Sequence, residues 1–210
     1  MKIVSVITAR GGSKEIPNKN IIDVNGKPLI SYTINASLES NVNETWVSTD
    51  SENIAYISVG LGAKTLLRPK ELANDVIMPD ASLVHFAENY NFDILVFIQP
   101  TSPLLEYKYI NEGIKLMDKY DSVFSAYKEH WCPKWSTDFK PIGWDILNRP
   151  RRQDMNAQYI ENGAFYITTR KNLLQSKLRY SGNIGIVEMP LEKSFQVDSQ
   201  NDLELIKNLL

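Results

Sequence analysis

Residues 2–20 read K-I-V-S-V-I-T-A-R-G-G-S-K-E-I-P-N-K-N. The first seven, residues 2–8, are a short apolar run of the kind that forms a buried strand. The run then breaks at Ala9-Arg10-Gly11-Gly12-Ser13-Lys14. Two glycines let a backbone turn sharply and approach a ligand closely. Arg10, Lys14 and Lys19 add three cations beside a run of backbone N–H groups. Donors plus fixed positive charge are what a polyphosphate requires. A basic surface loop is the plain alternative, but its place directly after the first strand favours phosphate binding.

Outward from this stretch, apolar runs alternate with helical patterns. Asn25-Gly26 signals a turn, and Pro28 suits a helix start, with Leu29, Ile30, Thr33 and Ile34 following at helical spacing. Residues 44–49 read as a strand ending in Asp50-Ser51-Glu52, which would cap a short helix carrying Ile54, Ile57 and Leu61. Residues 64–67 give a third strand, 68–75 a mixed-charge loop, and 79–88 a helix. Residues 93–98 are the clearest buried strand and run into Gln99-Pro100-Thr101-Ser102-Pro103-Leu104. A helix over 106–120 and a strand over 122–126 follow. Such alternation predicts an α/β fold, Rossmann-like, with a mostly parallel sheet and helices on both faces. Ligands in these sheets sit beyond the carboxyl ends of the strands, so the first loop and residues 99–104 should face one cleft.

Periodicity fails between residues 127 and 155, where Trp131, Trp135 and Trp144 cluster with Pro133, Pro141 and Pro150. This is an excursion from the sheet: either a long loop packed on its own domain or a partner-binding arm. Arg149, Arg151 and Arg152 form a solvated charge cluster or a clamp for carboxylate or phosphate. Residues 159–168 are strand-like on both sides of Asn162-Gly163, 183–189 form another strand, and 202–210 a closing helix. No linker splits the chain, which reads as a single domain, 1–210, with an arm at about 127–158.

The bulk properties exclude several classes. With 210 residues, 43% hydrophobic and 23% charged, the chain suits one α/β domain with a sizeable core. A net charge of −2 gives no global field toward nucleic acid or a membrane surface. No apolar run approaches the roughly 20 residues of a membrane helix. No long apolar leader precedes the first strand, so secretion is not expected. One cysteine, Cys132, allows no internal disulfide, and a reducing cytoplasm is the simplest setting. Between Trp131 and Pro133 it is expected to be a packed thiol. With only His85 and His130 in the chain, no nucleophile–base pair stands out. The G-x-G-x-x-G of dinucleotide oxidoreductases and the G-x-x-x-x-G-K-[S/T] of P-loop NTPases are both missing.

Taken together, these stretches resemble the acylneuraminate cytidylyltransferases, or CMP-sialic acid synthetases. The resemblance rests on Ala9–Lys14 with Pro17-Asn18-Lys19-Asn20, Gly26-Lys27-Pro28-Leu29, Val47-Ser48-Thr49-Asp50, and Arg68-Pro69 with Glu71-Leu72-Ala73. It continues through Gln99–Leu104, Arg151-Arg152-Gln153 and Glu161-Asn162-Gly163-Ala164-Phe165-Tyr166-Ile167. These span most of the chain in the family's order. The resemblance implies joining CTP to the anomeric hydroxyl of a nine-carbon 2-keto acid sugar, such as sialic, legionaminic or pseudaminic acid, with release of pyrophosphate. Arg10, Lys14 and Lys19 would be the catalytic cations. Arg10, Gly11, Gly12, Ser13, Lys14, Lys19, Asn20 and Arg68 would bind the nucleotide. Gln99, Thr101, Ser102, Asn162 and Gly163 would line the sugar side, and Arg152, with Gln153 beside it, would meet the sugar carboxylate. The Trp-rich excursion would be a dimerisation arm, making a homodimer that in some members reaches the neighbour's active site.

The family usually carries an Asp-x-Asp pair that holds Mg2+. Here the stretch is Gln196-Val197-Asp198, so Asp198 is the remaining candidate ligand and Gln196 offers a carbonyl oxygen without charge. Asp198 could instead join Ser199 in capping the last helix. Glu15 replaces a glycine usual in the first loop. Two other readings remain open: a nucleotide-binding homologue without catalysis, and a nucleotidyltransferase of the same fold acting on another sugar.

Overall fold

The computed structural model describes residues 1–74 and 77–210, so Asp75, at the end of the mixed-charge loop, lies outside the described residues. In chain order the main strands are β1 (Ile3–Thr8), the two-residue pair β2 (Asp23–Val24) and β3 (Lys27–Pro28), β4 (Glu44–Thr49), β5 (Lys64–Leu67), β6 (Ile94–Ile98) and β7 (Ser122–Glu129). They are followed by the short β8 (Lys134–Trp135) and β9 (Pro141–Ile142), then β10 (Gln158–Thr169) and β11 (Ile184–Glu188). The helices are α1 (Leu29–Leu38), α2 (Glu52–Gly60), α3 (Pro79–Asn89), α4 (Tyr107–Leu116), α5 (Arg170–Ser176) and α6 (Gln200–Leu209).

Seven strands form one sheet in the order β11-β7-β10-β6-β1-β4-β5. β1 is parallel to both its neighbours, β4 and β6. Its residues are apolar on both sides because both faces are covered, the usual condition of a parallel strand. Ile3 and Ile7 pack with Ile30 of α1, Ile54 of α2 and Ile110 of α4 on one face. Val4 and Val6 pack with Leu83 and Phe86 of α3 and Leu173 of α5 on the other. A third cluster seats α6 through Leu203 and Ile206 against Ile16, Val24, Leu29 and Leu104.

Three local expectations hold for the reasons given. Asn25 and Gly26 both have positive φ, 50° and 81°, and close the β2–β3 hairpin. Ser51 caps α2 by accepting from the Ile54 amide. Strand β6 is buried along its whole length.

Other expectations are revised. β10 runs antiparallel to both β6 and β7, and one strand passes through Asn162-Gly163, with its register to β7 shifting between Glu161 and Tyr166. Helix α4 ends at Leu116, since Met117, Asp118 and Lys119 close tighter turns back onto Ile114, Lys115 and Leu116. β7 is longer than expected, reaching Glu129 because the first residues of β10 pair with it there. α5 was not foreseen. Cys132 is exposed rather than packed. No helix among the described residues is long and apolar enough to cross a membrane.

Residues 130–157 leave the sheet. Trp144 meets Trp131 and Trp135 edge-on, at centroid distances of 6.4 and 5.1 Å, and its Nε1 donates to the Lys134 carbonyl. The excursion thus packs largely on itself, while Phe139 and Leu147 remain 85% and 90% exposed.

At the opposite end of the sheet, Glu44 accepts from the Trp46 indole and pairs with Lys64 and Lys2. The indole bond, then Lys64, then Lys2 hold its carboxyl down at about 2, against 4.5 ordinarily. A depressed pKa gives stability that is complete above the unfolded value and drains away as pH falls from about 4.5 toward 2. Glu44→Gln is expected to cost on the order of 2 kcal/mol near neutral pH, allowing for solvent screening. The deficit should vanish at the acid end; urea titrations across that range check it, and a pH-independent deficit would refute the charge assignment.

Candidate functional site

A cleft of about 560 Å³ lies beyond the carboxyl ends of β1 and β6. The loop after β1 supplies Arg10, Ser13, Lys14, Glu15, Lys19 and Asn20 to its lining. Buried Ile16 anchors this loop in the third core cluster. Asn18 takes a left-handed conformation, φ 55°, and starts the 3₁₀ turn Lys19–Ile21. Asn20 is buried and its Nδ2 donates to the Arg10 carbonyl at 2.9 Å, tying the two ends of the loop together. The cations are thereby held by one apolar anchor and one side-chain tie.

The two glycines act differently from expectation. The Gly11 amide donates to Asp50 Oδ1 at 2.9 Å, so it is already used inside the protein. Its close approach is to Ser51, whose Cβ would lie 3.0 Å from an added Cβ. Gly12 has open space around it, and neither glycine is on the cleft lining. Gly11 therefore fits the loop over the start of α2, while the cations and polar side chains of the loop are what reach the cleft.

Arg68 follows β5 directly and is buried. Its Nη1 donates to the Ser48 carbonyl at 2.9 Å, while its Nε has no hydrogen-bond partner among the described residues. Burial pushes the guanidinium pKa down, partly offset by Asp50, with Arg10 adding to the fall. A buried cation on the cleft wall with an unused donor is suited to an acceptor on a ligand.

Across the cleft, Gln99 and Thr101 follow β6 and reach the lining. Ser102 does not: it is buried, and its hydroxyl has no partner among the described residues. Asn162 is also turned inward. Its Oδ1 accepts from Ser125 Oγ at 2.6 Å and from the Ala164 amide at 3.2 Å, and its Nδ2 donates to Ser194 Oγ at 2.9 Å. Gly163, at φ 69°, sits behind Gln99. Both therefore back the cleft instead of lining it. Arg152 and Gln153 lie on an exposed 3₁₀ turn, Arg152–Asp154, in the excursion, off this cleft.

Asp198 lies on the cleft lining, and its Oδ1 pairs with Lys19 Nζ at 3.0 Å. It does not cap α6; Ser199 and Asp202 form that capping box. The fit to Mg2+ follows from the donors present. No cluster of three His, Cys, Asp or Glu occurs among the described residues. Two carboxylates line the cleft, Glu15 on the cation loop and Asp198 opposite Lys19, and a protein acid set among cations matches the mode in which Mg2+ is shared between a protein acid and substrate phosphates. Gln196 is not on the cleft lining, and its amide meets Asn162 and Thr101.

Sequence reasoning missed the wall formed by Leu72, Pro79 and Ser82, and the floor at Phe97. Behind them, Arg179 makes a bidentate pair with Asp80, and its guanidinium lies 5.5 Å from the Phe97 ring and 5.0 Å from Tyr166. Tyr166 in turn donates to Glu161, and burial, then that bond, raises its pKa. No local sequence signal marks Arg179.

Comparison with known proteins adds a second line of observation. The family profile described as Cytidylyltransferase matches residues 4–210. The chain is 38% identical over 211 residues to N-acylneuraminate cytidylyltransferase A of Danio rerio, covering 95% of this chain and 49% of that one. It is 33% identical over 217 residues to N-acylneuraminate cytidylyltransferase of Escherichia coli, covering 97% and 51%. The chain thus spans about half the length of these relatives. It is 30% identical over 223 residues to pseudaminic acid cytidylyltransferase of Campylobacter jejuni, covering 100% and 96%. In fold it matches CMP:2-keto-3-deoxy-manno-octonic acid synthetase complexed with CTP, with TM-score 0.75 at 21% identity over 100% and 98% of the two chains.

Proposed function

This chain belongs to the cytidylyltransferase family, and on that premise we propose that it transfers CMP from CTP to the anomeric hydroxyl of a nine-carbon 2-keto acid sugar, releasing pyrophosphate. The observation that carries the reading is one cleft in which Arg10, Lys14 and Lys19 face Gln99 and Thr101. One wall suits a triphosphate and the other a polyhydroxylated acid. CTP as substrate fits a protein working in the cytoplasm.

The reaction sets a weakly nucleophilic hydroxyl against an anionic phosphate. Arg10, Lys14 and Lys19 reduce that repulsion and stabilise the charge gathering on the departing pyrophosphate. Asp198 is the residue that would hold Mg2+ together with the triphosphate, and the ion would supply further charge neutralisation there. Gln99 and Thr101 hold the sugar for in-line attack; positioning of this kind contributes up to about 7–11 kcal/mol in favourable systems. No covalent protein intermediate is needed.

Arg152 and Gln153 stand away from the cleft of their own chain, and exposed Phe139 and Leu147 lie on the same excursion. This suits a homodimer in which the excursion, about residues 127–158, grips a second copy and delivers Arg152 to the partner's acid sugar.

The test is pyrophosphate release with CTP, Mg2+ and a panel of sialic, legionaminic and pseudaminic acids, with an eight-carbon 2-keto acid included. Turnover with one nine-carbon acid, abolished by chelation, is the expected result. Turnover with the eight-carbon acid alone would move the substrate assignment. CTP binding without any turnover would replace the enzyme reading with that of a nucleotide-binding protein.

A further inference from the structure

Three segments distant in sequence meet behind the cleft: the turn after β6, the Asn162-Gly163 section of β10, and the stretch leading into α6. Gln196 touches all three. Its Nε2 donates to the Asn162 carbonyl, and its Oε1 accepts from Thr101 Oγ1 at 3.5 Å. A Cβ on Gly163 would stand 2.5 Å from Gln196 Nε2 and 3.3 Å from Gln99 Oε1, so the bare backbone at Gly163 makes room for the amide. Backbone bonds flank the junction: the Val197 amide donates to the Thr101 carbonyl at 2.8 Å, and the Gln99 amide to the Ala164 carbonyl at 3.1 Å. Asn162 cannot shift to compensate, since its side chain is bound on the far side by Ser125 and Ser194.

We propose that Gln196 is a positioning residue, a neutral strut that fixes Gln99 and Thr101 relative to the edge of β10 and so sets the acid-sugar side of the cleft. The inference rests on the reading of Gln99 and Thr101 as sugar-facing. Its chemistry is specific. The position needs a donor toward a carbonyl and an acceptor toward a hydroxyl, and a carboxamide supplies both without charge. An ionised carboxylate there would set oxygen against the Asn162 carbonyl, leaving a buried acceptor unpaired. The chain therefore has a reason to lack an acid at position 196, independent of metal.

The residues against the amide, Gln99, Thr101, Asn162 and Gly163, are all uncharged. The charged residues of its own segment are Glu192, Lys193 and Asp198, the last paired with Lys19 of the first loop. A glutamate placed here would keep the length of the side chain and could donate only when protonated.

The experiment compares Gln196→Glu and Gln196→Met with the unaltered protein. For Gln196→Glu, which keeps the side chain's length but sets an acceptor against the Asn162 carbonyl, KM for the acid sugar should rise about 10-fold, well beyond any change in kcat. For Gln196→Met it should rise as well, and CTP affinity should change less than about 2-fold in both variants. Hydrogen exchange at the Gln99 and Val197 amides should speed up in Gln196→Met. That readout needs no turnover, so a chain inactive with every acid sugar would defeat the functional reading while the strut is still judged by exchange. Unchanged exchange, an unchanged sugar KM in Gln196→Glu, or a lowered Mg2+ requirement in that variant would overturn the proposal.

Discussion

Lys19→Met is expected to lower kcat about 100- to 1,000-fold, the usual loss when a fixed donor to developing charge is removed. CTP affinity should fall less, by about 10-fold, because Arg10 and Lys14 remain on the same wall. The prediction follows from how Lys19 is held. The left-handed Asn18 and the buried Ile16 fix its turn, and its ammonium faces Asp198 across the cleft mouth. The Asp198 side chain is 66% exposed, so the ion pair contributes little to stability. Thermal unfolding should therefore barely move while turnover collapses. Lys19→Arg keeps the charge but spreads it over a planar fork, so only partial recovery is expected. Single-turnover pyrophosphate release, paired with calorimetric titration of CTP, separates the two quantities. Equal losses in both would make Lys19 a ground-state binding residue.

Asp80→Ala should destabilise the fold by about 3–5 kcal/mol, because it strands a buried guanidinium. That corresponds to a fall in Tm of roughly 6–20 °C for a chain of this size. The Arg179 and Asp80 side chains are only 12% and 10% exposed. Asp80 also accepts from the Arg179 amide at 2.6 Å and lies in the first turn of α3, where a negative charge is favourable. Replacing both partners, Asp80→Leu with Arg179→Met, should recover most of the loss, since a buried pair is costly to break and cheap to exchange for packing. Because Asp80 follows Pro79 and precedes Ser82 on the cleft wall, Asp80→Ala should also weaken CTP binding well below its Tm. Chemical denaturation of the two variants decides the matter; additivity of the single effects would deny the pairing.

Much of the frame could be read from residues alone, because it depends on local pattern. β1, β4 and β6 are apolar runs of strand length, Ser51 announces α2, and Arg10, Lys14 and Lys19 crowd one loop after the first strand. What stayed hidden depends on partners far along the chain. Nothing in residues 158–169 states that β10 runs against β6 and β7; that is set by where those strands already lie. Gly11 resembles a phosphate-loop glycine until Asp50 is seen to take its amide. Asn162 has the chemistry of a ligand contact, yet four internal partners use it up, the Met189 sulfur included. Gln196 gives no sign of its strut role in sequence, since its partners are 34 and 95 residues away.

The strand order also dictates an order of assembly. β5, β4, β1 and β6 are neighbours in the sheet, and all lie within the first 98 residues. This half-sheet can form while the rest of the chain is still being synthesised. β7 has no such option: its neighbours are β10 and β11, both made later. It must wait for β10 to arrive, lie against β6 and bridge the two halves. Gln99 and Thr101 belong to the early half, whereas Gln196 and Asp198 come near the end of the chain. A nascent chain that stops short of β10 can thus own a folded half-sheet, the cation loop and the Gln99–Thr101 wall while still lacking Asp198 and the Gln196 strut, so the cleft takes shape before its candidate metal ligand and its brace arrive.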